Sequence, residues 1–165
     1  MLTLNDLGPS WRVDAGPAFS QNALNISWCQ FPVTPTSEYA RAVSASAGFI
    51  APGEFLLESI DAFPPGTATG VLNDQLQAIA SCLEFTSTVL ELVQTEQVPL
   101  PMLGDQSAAF RKTYTDKRNG SKRVVYTAFI RWGDFLMRLE NLPALLADDT
   151  VLDTTAQAAE QRLRT

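Results

Sequence analysis

Asn119-Gly120 lies between two runs that alternate apolar and polar residues, QSAAFRKTYTD (106–116) and KRVVYTAFIRW (122–132). Asn-Gly adopts the left-handed torsions of a tight hairpin at little cost, and alternation at period two puts every second side chain on one face. The stretch therefore predicts two long antiparallel strands, which limits the chain to folds built round a hairpin-rich sheet. Other turn signals extend it. Pro52-Gly53 separates YARAVSASAGFI from FLLESIDAF, and Gly133-Asp134 turns KRVVYTAFIRW into FLMRLENL. TVLELVQTEQVPL alternates as a further strand that ends at Pro99 and Pro101.

One strong helix interrupts the strands. After Pro64-Pro65-Gly66, the segment TATGVLNDQLQAIASCLEF places Leu72, Leu76, Ile79 and Leu83 on one stripe. This predicts a main helix over about 67–85, capped by Thr67 or Thr69, with Asp74, Gln75 and Gln77 facing water. The small residues Ala40, Ala42, Ser44 and Ser46 predict a strand face closely covered by a helix. A short helix capped by Thr3 and closed by Gly8-Pro9 starts the chain, and Trp11–Val13 reads as a short strand. Residues 15–37 are irregular, with Ile26, Trp28, Cys29 and Phe31 anchoring the stretch to the core. Pro143 and Asp148-Asp149 form a linker to a last helix capped by Asp153. The expected fold class is α+β: one domain over 1–165, a largely antiparallel sheet packed with one main helix and a C-terminal helix.

Chemistry is bounded mainly by what the chain lacks. There is no histidine among the 165 residues, so Ser-His-Asp and Cys-His nucleophiles and imidazole metal sites are excluded. A net charge of −6 argues against general nucleic-acid binding. Six of the twelve cationic side chains fall within residues 111–123, which reads as a solvated hairpin end, with contact to acidic headgroups as the sharper alternative. No apolar run is long enough for a membrane helix, and MLTLNDLGPSW lacks the basic flank and apolar core of a secretory signal. Cys29 and Cys82 are too far apart for a C-x-x-C motif. Either they are two buried thiols in a cytosolic protein or they form one disulfide in an oxidising compartment.

Two Gly-Asp pairs, Gly104-Asp105 and Gly133-Asp134, could be mistaken for catalytic loops. Both stand where a turn needs glycine torsions and an Asp bonded to local backbone, and the turn reading is preferred. An acid pair made of Glu58 and Asp61 fails on parity, because an odd separation sends the two to opposite faces of a strand. The chain is expected not to be an enzyme, and no cofactor or metal is expected. If aromatic residues line a cleft, Trp28, Phe49 and Tyr126 are candidates, with Arg131 as a polar anchor.

The order of short motifs resembles the PknH-like extracellular sensor domain family of actinobacterial lipoproteins and a receptor-kinase ectodomain. The motifs are Leu2, Thr3, Asp6, Leu7, Gly8 and Trp11 at the start, then Cys29 and the Ala/Ser-rich strand ending in Phe49. Leu57, Glu58 and Phe63 follow, then the helix leading to Cys82, then Leu103–Ser107, and Arg131 with Gly133-Asp134. The resemblance implies a non-catalytic extracellular or cell-surface domain that binds an unknown small or apolar ligand beside its sheet, with Cys29 and Cys82 bridged. The expected partner is a small-molecule or cell-envelope ligand, or a surface protein if the domain is an interaction module. A signal or lipid anchor is expected outside the chain.

Overall fold

A computed structural model describes residues 1–20, 27–28, 31–32, 42–88, 90–143 and 149–164. Ten strands and three helices are described. Helix α1 is Leu4–Leu7, β1 Arg12–Ser20, β2 Ser27–Trp28, β3 Phe31–Pro32, β4 Val43–Ala51 and β5 Glu54–Ala62. Helix α2 follows at Thr67–Ala80, then β6 Glu84–Thr88, β7 Glu91–Val98, β8 Gln106–Asp116, β9 Lys122–Trp132, β10 Phe135–Pro143 and α3 Asp149–Leu163. Eight strands form one antiparallel sheet in the order β1-β4-β5-β10-β9-β8-β7-β6, and β2 and β3 pair separately. The fold is α+β, as the alternating runs predict.

Register divides the side chains cleanly between two faces. Tyr126, Ala128 and Ile130 of β9 point one way with Met137 and Leu139 of β10, and join Leu2, Leu56, Ala156 and Ala159 in one buried cluster. Helices α1 and α3 lie on this face. Phe129 and Leu136 point the other way and pack with Ala68, Val71, Leu72 and Ile79 of α2. Ala42 is fully buried in that second cluster, which is the helix cover that the small residues before β4 predict. Ala40 lies outside the described residues.

The Gly-Asp pairs are fasteners. The Asp105 carboxylate accepts the Gly133 N–H at 2.7 Å and pairs with Arg131 at 3.1 Å. Gly104 has φ +62°, and a Cβ there would overlap the carbonyl oxygen of Arg131, so both conformation and space require glycine. Asp134 accepts the Gly66 N–H at 2.7 Å, while its carbonyl accepts the Phe63 N–H at 2.9 Å. The β9–β10 turn thus clips the start of α2.

Several boundaries differ from expectation. Helix α2 stops at Ala80, and Glu84–Thr88 forms β6 instead of a last helical turn. Its N-cap is Gly66 at φ +78° with no side-chain cap bond, so neither Thr67 nor Thr69 serves. The Asp134 carboxylate does that work from the β9–β10 turn. Gln75, expected to face water, is buried at 3% exposure because it lies on the stripe between Leu72 and Ile79, and Leu83 is 51% exposed because the helix ends before the stripe reaches it. Strand β1 runs nine residues through Gly16-Pro17, with register shifts between Val13 and Ala18. Proline and bulges are tolerated on this edge, where one side of the ladder is free. Helix α3 begins at Asp149, four residues before the expected cap at Asp153.

Candidate functional site

The α2 face is only partly covered by its helix. Helix α2 ends at Ala80 and the chain turns through Ser81 into β6. Ala80 of the helix and Ala108 of β8 both border the space beyond the helix end. A cavity of about 550 Å³ results, walled by Leu76, Ile79 and Leu83 on one side and Phe110 on the other. Thr95, Glu96 and Gln97 of β7 complete it. The walls are mainly hydrocarbon, and the volume falls in the range of small-molecule sites. Thr95 is 6% exposed, and its hydroxyl has no hydrogen-bond partner among the described residues. Glu96 is engaged by Arg111.

Beside the cavity runs a strip of polar side chains. Lys112 lies directly across the β7–β8 ladder from Thr95. Parity continues the strip through Thr127 and Glu140, which face each other on β9 and β10, to Arg138 opposite Ser59 and Asp61 opposite Ser44. Ser44, Ser59, Asp61 and Thr127 are all buried. Burial pushes the Asp61 carboxyl above its ordinary range, against the pull of the Ser44 hydrogen bond and the Arg138 charge. Burial pushes Lys112 down to about 8, while Glu140 pulls it up and Arg138 lowers it further. Arg138 Nε sits 3.9 Å from Glu140 Oε1. Asp61 Oδ1, Ser59 Oγ, Thr127 Oγ1 and Arg138 Nε lack partners among the described residues. Unmet buried polar atoms cost about 1–3 kcal/mol each, so this face keeps a concentration of unmade hydrogen bonds.

Of the residues proposed from sequence, Phe49 and Tyr126 share one buried cluster and Arg131 lies on the other face. Phe49 and Tyr126 lie on the α1/α3 face, buried in the cluster with Leu56. The Tyr126 hydroxyl engages Arg111. Arg131 belongs to the opposite face by parity and is held at the sheet end by Asp105 and the Gly133 carbonyl. The side chain of Trp28 lies outside the described residues, as does Cys29. Cys82 carries no free thiol. Glu58 and Asp61 do face opposite ways, as their spacing requires: Glu58 accepts the Leu2 N–H at 2.8 Å on the α1/α3 side. Among the described residues no group of acids and cysteines could hold a metal ion.

The basic hairpin is largely neutralised in place. Arg111 pairs with Glu96, Arg118 with Asp116, and Arg123 with Glu91 while stacking 3.6 Å over the Tyr114 ring. What sequence reasoning missed is Lys112. Phe110, Lys112 and Tyr114 share one parity within β8, so a lysine on the covered face was readable from the alternation itself.

No protein-family profile matches the chain, and no curated protein does. The fold is shared by solved structures, among them two mycobacterial proteins. The extracellular domain of PknH from Mycobacterium tuberculosis superimposes with a TM-score of 0.68 at 9% identity, covering 100% of this chain and 93% of that one. An uncharacterized protein of Mycobacterium smegmatis, the Rv0999 ortholog, gives 0.60 at 12% identity, covering 97% and 90%. At such identities the likeness is one of fold. It supports a fold like that of the PknH extracellular domain.

Proposed function

We propose that this chain is a non-catalytic, extracytoplasmic sensor or ligand-binding domain that holds a small, largely apolar molecule in the cavity between α2 and the β7–β8 edge. The observation that carries the reading is the cavity: about 550 Å³ of space beside a helix whose last turn leaves the sheet uncovered. Fold likeness to an extracellular domain supports the location. The reading places the ligand elsewhere than Trp28, Phe49, Tyr126 and Arg131, since Phe49 and Tyr126 lie under the opposite helices. The reading also includes a Cys29–Cys82 bridge, which would fasten residues 29 and 82 beside the helix end, and a lipid anchor or signal outside the chain.

Native mass spectrometry of the unreduced protein tests it. The expected result is retained extra mass that disappears on denaturation, together with a polypeptide two mass units below its reduced form. The retained mass should be absent in Ala80→Trp, which fills the cavity from an exposed position. Two titratable thiols would remove the extracytoplasmic reading, and ligand retention unchanged in Ala80→Trp would remove the cavity.

A second reading has its own observation. Phe19, Val43 and Phe135 are 78%, 55% and 45% exposed. Val43 and Phe135 both pair with Ala62, and Phe19 pairs with Ala45 in the next row. An apolar patch at one end of the α1/α3 face is suited to a protein partner. Loss of co-purifying protein in Phe19→Ser with ligand retention unchanged would favour it.

A further inference from the structure

The geometry points to a short extended peptide as the ligand of this cavity. One bulky apolar side chain stands among Leu76, Ile79, Leu83 and Phe110, and the peptide main chain pairs with Gln97 on the open edge of β7. This deepens the ligand-binding reading above and rests on it.

The edge is open because β6 begins too late to cover it. Glu84, the first residue of β6, pairs with Gln94, and just before it the Leu83 carbonyl accepts the Thr95 N–H. The chain ahead of Leu83 turns away, since the Ser81 and Cys82 N–H groups bond to the Gln77 and Ile79 carbonyls of α2. Main-chain groups alternate from side to side along a strand. Gln97, two residues after Thr95, therefore also aims its N–H and C=O away from β8. Among the described residues neither group has a main-chain partner on that side. Gln97 is exposed and lines the cavity. A donor and an acceptor on one residue match the C=O and N–H of a single antiparallel peptide residue.

Parity then sends the side chain of that residue into the cavity. Residues opposite each other across a ladder share a face, and Gln97 pairs with Phe110, which lies in the buried cluster with α2. A peptide residue opposite Gln97 turns its side chain to the same face, two positions along the β6 line from Leu83. The walls it meets are hydrocarbon, so a leucine-sized apolar side chain gains most. Glu96, the acid among the lining residues, is engaged by Arg111, which suits the site to a neutral amide main chain. The open row is short. Thr95 is already bonded, and Pro99, two residues beyond Gln97, has no N–H to give. The occupant is accordingly a short peptide and not a long added strand.

The test is titration of acetyl-Ala-Leu-Ala-amide, its all-alanine counterpart, and an ester analogue with oxygen in place of the leucine N–H. The all-alanine peptide is expected to bind the wild type about tenfold more weakly or worse. The ester should bind about fivefold more weakly, the net worth of one hydrogen bond. Gln97→Ala should leave affinity within about twofold, because the main chain does the binding, whereas Gln97→Pro should lower it by about fivefold. Ala80→Trp should abolish binding. Gln97→Pro is expected to melt with the wild type, since the lost N–H faces away from the ladder; the ester decides if it does not. Equal binding of amide and ester would overturn the edge pairing. Binding of isohexanol, which carries the side chain without amides, but not of the peptide would overturn the peptide assignment and leave the cavity as an apolar site. Failure of both probes would overturn both readings. A large gain on lengthening the peptide with alanines at each end would overturn the short peptide in favour of a partner's strand.

Discussion

On the face that carries α1 and α3, Leu56, Met137 and Leu139 are at most 1% exposed, and the two helices are tied together. Arg162 reaches from α3 to Asp6 at 2.9 Å, Glu160 accepts the Gly104 N–H at 2.8 Å, and Arg164 sits 4.6 Å from the centre of the Trp132 ring. On the face that carries α2, the same strands present Asp61, Ser59 and Arg138, and the helix leaves a cavity beside Phe110. Each strand serves both faces by alternation, so the contrast comes from side-chain choice at odd and even positions. One face holds the fold together. The other gives up stability in unmet hydrogen bonds and open space, the usual cost of a binding surface.

The sharpest way to break this contrast is to cut equally on both sides. Leu139→Ala on the closed face should destabilise by about 2–5 kcal/mol, whereas Leu76→Ala at the cavity wall should cost about 1 kcal/mol or less. Urea denaturation of both variants decides it, and equal losses would mean that the α2 face is as tightly packed as the other.

Next in size is Lys112→Met, which should raise stability by about 1–2 kcal/mol at pH 7. The sign follows from burial. The folded-state value is pushed down to about 8 from 10.5, so the charged lysine opposes folding at all pH values below about 8. That penalty fades as pH rises toward 10.5, and the advantage of the variant should fade with it. A gain that did not change between pH 7 and 10 would assign the effect to packing instead.

Glu58 is a buried acid on the closed face, and its carboxyl is pushed above the ordinary range mainly by burial. An acid whose folded value is raised loses stability as pH climbs through the interval between its unfolded and folded values. Glu58→Gln keeps an acceptor for the Leu2 N–H and should melt a few degrees higher at pH 7, with the difference closing at pH 4. Melting curves at the two pH values test this.

The smallest effect is expected at the surface clasp. The Arg162 guanidinium, helped by Thr3, holds Asp6 down to about 2, so the clasp contributes above the ordinary aspartate value and is lost as pH falls toward 2. Because the pair is partly solvated, Arg162→Ala should cost under about 1 kcal/mol at pH 7. It should also speed hydrogen exchange in α3, and unchanged exchange would show that packing alone seats the helix.

Much of this was legible in the residues. Asn119-Gly120 fixed the central hairpin, and the odd separation of Glu58 and Asp61 fixed their opposite faces. The turns at Gly104-Asp105 and Gly133-Asp134 also followed from local chemistry, but the two carboxylates accept the N–H groups of Gly133 and Gly66, far along the chain, and not local backbone as expected. What was not legible depends on distant partners. Helix α2 starts at Gly66 because a carboxylate on the β9–β10 turn meets its N–H, and no local rule shows that. Phe49 and Tyr126 read as cleft aromatics because sequence gives parity within one strand but not which face lies under α1 and α3. Thr95 looks like any exposed strand threonine until the end of α2 is seen to stop short of it.

The place of β10 between β5 and β9 has a consequence for how the molecule comes into being. Until residues 135–143 leave the ribosome, β5 and β9 each have one unsatisfied rim, and the nascent chain consists of two incomplete ribbons. Each rim is a template for any extended peptide nearby. The final zipping must therefore wait for β10, the last strand of the sheet. If the protein crosses a membrane on its way to its site of action, that late closure would favour passage: a chain that cannot finish folding early stays threadable.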